Sequence, residues 1–182
     1  MRAARPSRPR PPLDEEGLER LGLFYAGRYA TTRARLAAYL VRKVRERGWA
    51  DSGNAPPDQA VERLVERFAA LGYVDDRAFA EARAASLGRR GYGERRVGVA
   101  LKAAGIGEED AAPALESARE DAVAAARRYA QRRRLGPYAG EAPDRAARQK
   151  AAAAMLRAGH RIDVVRLVLD AGAGEVPDPD SV

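Results

Sequence analysis

The chain has 182 residues, a formal net charge of +7 and a sequence pI of about 10.1. It has no cysteine, so disulfides and thiolate chemistry are excluded, and no run approaches the roughly 18 apolar residues of a membrane span. The basic balance favours an anionic partner, whether nucleic acid, an acidic protein groove or a membrane surface. Only three of the 33 basic residues are lysine. Such an arginine bias fits a GC-rich genome, so clusters of arginine carry more weight than single ones.

Residues 1–12 place Arg2, Arg5, Arg8 and Arg10 among prolines, with nothing apolar to bury. This predicts a disordered basic arm. No apolar stretch follows these arginines, so the start does not read as a secretory signal, and a reducing cytoplasm is the expected location. Residues 171–182, rich in Gly, Pro and acid, are expected to form a disordered tail.

Between the tails the pattern is helical. Asp14 reads as an N-cap, with Leu13 before it and Leu18 inside as a hydrophobic staple, and Leu18, Leu21 and Tyr25 form a stripe. A second helix starts near Thr31 or Thr32, carries Leu36, Leu40 and Val44, and stops at Gly48. Asp58 is the expected cap of a third helix bearing Val61, Leu64, Val65, Phe68 and Leu71, ended by Gly72. Asp75 or Asp76 caps a fourth, whose apolar positions are Phe79, Ala82 and Leu87. Gly91-Tyr92-Gly93 breaks the chain. A fifth helix runs over Val97 and Leu101 to Gly105, and a short sixth from Glu108 to about Glu116. The seventh places Ala122, Ala126 and Tyr129 on one face and ends in arginines. Two more cover Asp144–Ala158 and Ile162–Asp170. No segment alternates with period two, so no sheet is expected. In the middle of the chain Phe79, Val97, Leu101 and Ile106 are the expected core.

A repeat runs through this pattern. Gly48-Trp49, Gly105-Ile106 and Gly159-His160 each end a helix with a basic start, at nearly even spacing. Each such helix has another on either side. The fold class expected is therefore all-α: three tandem three-helix repeats in an elongated array, spanning 13–73, 74–116 and 117–170.

Catalytic chemistry is not found. The one histidine, His160, occupies the position held by Trp49 and Ile106 in the other repeats, which is a packing position. No set of His or Cys could hold zinc. Asp75-Asp76 and Glu108-Glu109-Asp110 sit at helix starts, where acids complement the helix dipole. Gly91-Tyr92-Gly93 lacks the preceding strand and the Gly-Lys-Ser/Thr of a phosphate loop. The chain thus reads as a binding protein, not an enzyme, with no cofactor.

The positive feature is charge. Arg127, Arg128, Arg132, Arg133 and Arg134 form one run without interleaved acids. Arg89, Arg90, Arg95 and Arg96 form another around the glycine break. Arg89 and Arg90 end a helix, where cations suit the dipole, whereas Arg95 and Arg96 begin one, where they do not. These nine arginines, with Lys102, are the expected partner-binding residues. A first-repeat stripe of Arg35, Arg42 and Arg45 is the fallback.

Leu71-Gly72-Tyr73-Val74-Asp75-Asp76-Arg77-Ala78-Phe79-Ala80, then Gly93-Glu94-Arg95-Arg96-Val97 and Leu101-Lys102-Ala103-Ala104-Gly105-Ile106, resemble the middle repeat of the RecX family of bacterial regulatory proteins. Thr32-Arg33-Ala34-Arg35-Leu36 resembles the start of the family's first repeat, and Met155-Leu156-Arg157-Ala158-Gly159-His160 its third. The likeness covers about residues 14–170. It departs at His160, where an aromatic is usual, and at the helix ending at Gly48, about one turn longer than the pattern. The resemblance implies three tandem three-helix repeats. It also implies a role in DNA repair, homologous recombination and the SOS response, through binding the RecA recombinase filament. The expected effect is to limit filament growth, ATPase and strand exchange. It implies a monomer with no membrane partner, whose basic surface also meets single-stranded DNA. The competing expectation is a direct DNA-binding protein of helix-turn-helix type. Against that, Val97-Gly98-Val99-Ala100-Leu101 offers few side chains to base edges.

Overall fold

The computed structural model describes residues 11–50, 55–140 and 143–171. The expected basic arm and acidic tail lie, except for their inner edges, outside those residues. Among the described residues there are nine α-helices, one 3-10 turn (Gly136–Tyr138) and no strand, only an isolated bridge between Leu13 and Trp49. The chain is all-α, as expected, and divides between Asp75 and Asp76 into two compact units.

The first unit is one three-helix repeat: α1 (Glu15–Arg28), α2 (Arg33–Arg47) and α3 (Pro57–Ala70). Asp14 and Thr32 cap the first two, accepting from Gly17 N at 2.7 Å and Arg35 N at 3.2 Å. Such caps contribute about 1 kcal/mol each. Leu18, Leu36, Leu40, Val61, Leu64 and Phe68 form the core. Gly22 makes room for the Phe68 ring, since a Cβ there would lie 3.0 Å from it. α2 stops at Gly48, whose φ of 81° needs no Cβ.

Two details differ from expectation. α3 opens on Pro57 with Asp58 inside its first turn, because proline's fixed φ suits the first helical position. Leu71, expected on the apolar stripe, is 59% exposed. It is the residue after the helix, where the chain turns away through Gly72, and Val74 fills the core instead.

The second unit holds the other two repeats: α4 (Asp76–Arg89), α5 (Glu94–Ala103) and α6 (Glu108–Glu120), then α7 (Ala122–Arg133), α8 (Arg145–Arg157) and α9 (Ile162–Asp170). α4 packs chiefly on α6. Its buried face is Ala80, Ala84 and Leu87; Phe79 is only half-buried and Ala82 is exposed. Small side chains at i and i+4 bring α6 close, and the bulky Phe79 is displaced to the edge of the contact. Val97, Leu101 and Ile106 are buried as expected. α6 runs to Glu120 rather than about Glu116, because nothing in Ser117-Ala118-Arg119-Glu120 breaks a helix. The third repeat closes on Ala126, Tyr129, Ala130, Met155, Val165 and Val168.

Candidate partner-binding surface

The second and third repeats meet at the turns that end their helices. Gly93 N donates to Ala158 O at 3.0 Å and Arg95 N to Gly159 O at 3.2 Å. The first amides of α5 thus cap the last carbonyls of α8, joining two dipoles head to tail. The fit is close. A Cβ on Gly93 would lie 2.4 Å from Gly159 O, and one on Gly91 2.7 Å from Tyr129 N. His160 is 2% exposed, with Nε2 3.0 Å from Gly91 O. A carbonyl only accepts, so the ring carries its proton on Nε2, leaving Nδ1 buried without a partner. Burial pushes this imidazole below its ordinary pKa of 6.5, against the smaller opposing effect of the Gly91 carbonyl.

This joint also accounts for Arg95 and Arg96. Each begins a helix, an unfavourable place for a cation, but Arg96 lines a cleft with Ala158 at the C-terminus of α8, where a cation is welcome, and Arg95 meets that end through its backbone amide.

The joint gathers arginines that the sequence keeps apart. Arg96 and Arg90 lie over the Tyr92 ring, 5.9 and 5.3 Å from its centroid, and Arg133 lies 5.8 Å from that of Tyr129. Tyr92, Arg96, Tyr129, Arg133 and Arg157 line one cleft of about 340 Å³. Arg157 was missed in the sequence, where it stands alone; only its place two residues before Gly159 could have pointed to it.

Other members of the two clusters face elsewhere. Arg128 donates to Gly88 O at 3.2 Å and pairs with Asp121, and Arg132 donates to Arg90 O. These two tie α7 to the C-terminal end of α4. Arg89 lines a separate groove between α4 and α6. Arg95, Lys102 and Arg134 are exposed and Arg127 is half-buried. In the first unit Arg42 is ion-paired with Glu46. Among the described residues no cluster of three or more His, Cys, Asp or Glu could hold a metal, and no helix is long and apolar enough to cross a membrane.

Residues 75–115 match the model of the RecX second three-helix domain. The regulatory protein RecX of Myxococcus xanthus is 31% identical over 169 residues, which cover 91% of this chain and 90% of that protein. The chain belongs to the RecX family. The RecX of Thermus thermophilus is 43% identical over 72 residues, 39% of this chain and 50% of that one. A crystal structure of a RecX regulatory protein superposes with a TM-score of 0.66, covering 86% of this chain and 72% of that one; at 20% identity it speaks for the fold alone. These relatives are named regulatory proteins, not enzymes. Within this RecX-family chain the matched segment carries Arg89, Arg90, Arg95, Arg96 and Lys102, whereas Arg127–Arg134 and Arg157 lie beyond it.

Proposed function

We propose that this RecX-family chain binds the RecA recombinase filament in the cytoplasm, as a monomer. It inhibits filament growth, ATP hydrolysis and strand exchange through the basic surface of its second unit. It acts by binding rather than by catalysis. One observation carries this reading. Arg96, Arg133 and Arg157, distant in sequence, line one cleft at this joint with no carboxylate partner among the described residues. Exposed like charges repel one another and are best accommodated by an anionic partner. An acidic protein groove wound around a polyanion supplies one. Single-stranded DNA inside the filament is the second expected partner, and the three repeats are taken to span 13–73, 74–116 and 117–170. Duplex readout is less well supported, since beyond its first turn α5 presents Val99, 61% exposed, and Lys102. The test is single-strand-stimulated ATP hydrolysis by the cognate recombinase, with and without this chain. Hydrolysis should fall as the chain is added; an unchanged rate at excess chain would refute the reading.

A further inference from the structure

Three concave sites stand out, and their arginines differ. Beside α1 and α3, Arg63 and Arg67 are neutralised by Glu15 and Glu19. In the groove of α4 and α6, Arg128 is neutralised by Asp121, and Glu81 lies on the rim. The cleft at the joint has no acid in its lining. Arg96, Arg133 and Arg157 all face it, and none has a carboxylate partner among the described residues.

From this we infer that the cleft is a seat for a backbone phosphate of single-stranded nucleic acid. The inference rests on reading this surface as a partner site, not on the recombinase being the partner. Three guanidinium forks around one hollow suit a tetrahedral phosphate, which offers oxygens in several directions; a carboxylate is satisfied by one fork in its own plane. The carbonyls at the end of α8, which would repel an anion, are already covered by the amides of Gly93 and Arg95. Tyr92 and Tyr129 hold Arg96 and Arg133 in place by their ring faces, so less freedom is lost when the anion binds. Tyr129 is itself fixed, being buried, with its hydroxyl donating to Ala154 O at 3.4 Å. A flexible strand can push a phosphate into a concave site. A duplex, stiff over about 50 nm, presents its backbone only on a convex surface.

The experiment uses the full chain without recombinase. Fluorescence anisotropy of a labelled oligothymidylate is read across a salt series, against a duplex of equal length. Arg133→Gln with Arg157→Gln should weaken single-strand binding about tenfold at moderate salt and lower the log–log salt slope by about 0.7, the loss of one phosphate contact. Arg157→Gln alone alters an exposed side chain and keeps the test valid if the double variant unfolds; it should move both quantities the same way. Arg157→Lys should keep the slope. Unchanged affinity and slope would overturn the seat. So would a wild-type chain that ignores oligothymidylate while the double variant loses recombinase inhibition, because the cleft would then hold protein carboxylates. Stronger duplex binding, reduced by the same variants, would overturn it in favour of groove binding. If the seat binds the strand but the wild type leaves the recombinase untouched, the proposed function fails and the seat stands.

Discussion

Replacing Gly93 by alanine should unfasten the second unit without disturbing the first. Gly93 has φ of −81°, which any residue adopts, so the effect is steric and not conformational. The new Cβ would lie 2.4 Å from Gly159 O, 2.5 Å from Gly159 C and 2.6 Å from His160 N, all backbone atoms that cannot swing aside. The α8–α9 turn must retreat by about 1 Å to restore ordinary contact. Retreat strains the Gly93–Ala158 and Arg95–Gly159 hydrogen bonds, each worth about 0.5–1.5 kcal/mol. Overpacking adds about 1–3 kcal/mol. The expected loss is therefore about 2–6 kcal/mol. Urea unfolding can assign it, because the single tryptophan, Trp49, packs against the first unit's core. Far-UV circular dichroism should show a weakened transition while Trp49 fluorescence keeps its midpoint. Gly27→Ala is the matched control. Nothing lies within 4 Å of a Cβ at that helical position, so it should stabilise the first unit by up to about 1 kcal/mol. A loss below about 1 kcal/mol for Gly93→Ala, or a shift seen equally by Trp49, would refute the account of the joint.

His160 makes the second unit acid-sensitive. Its folded pKa lies below 6.5, so the neutral ring's contribution is complete above about pH 6.5 and is lost as pH falls through the lower folded value. Urea midpoints at neutral and mildly acidic pH should therefore diverge in wild type and converge in His160→Phe; equal divergence in both would rule the histidine out. Phe68→Ala should cost roughly 3–5 kcal/mol, because Phe68 is fully buried, whereas half-buried Phe79→Ala should cost about 1–2 kcal/mol; chemical denaturation that reversed this order would contradict the packing. Arg128→Gln should destabilise by about 1–2 kcal/mol through lost contacts to Gly88 and Asp121. Arg133→Gln should stay within about 0.5 kcal/mol of wild type, and thermal melts that failed to separate the two would void the distinction between tying and binding arginines.

Local signals carried most of the fold. Helix starts at Asp14, Thr32 and Asp144 were legible because a capping side chain acts on an amide three residues on. Gly48, Gly105 and Gly159 were legible because each takes a positive φ at a helix end. The face of α4 was not. Its buried side consists of alanines, which carry little hydrophobic signal, while Phe79 carries a strong one from the edge. The surface was half legible. Both arginine runs stood out, but a run cannot say which members are held by carbonyls across the joint, as Arg128 and Arg132 are. Nor can it bring Arg157 to Arg96, since that meeting depends on two glycines passing at backbone contact.

Regulation of the recombinase by the basic surface at this joint can be tested with the Arg95→Glu/Arg96→Glu variant in the single-strand-stimulated ATPase assay, with helicity checked by circular dichroism. Both side chains are exposed, so folding should be unaffected. Wild-type chain should suppress hydrolysis, added salt should relieve the suppression, and the folded double reversal should not suppress at all. A folded double reversal that inhibits as well as wild type would contradict it and move the interface to the first repeat, to the stripe of Arg35, Arg42 and Arg45.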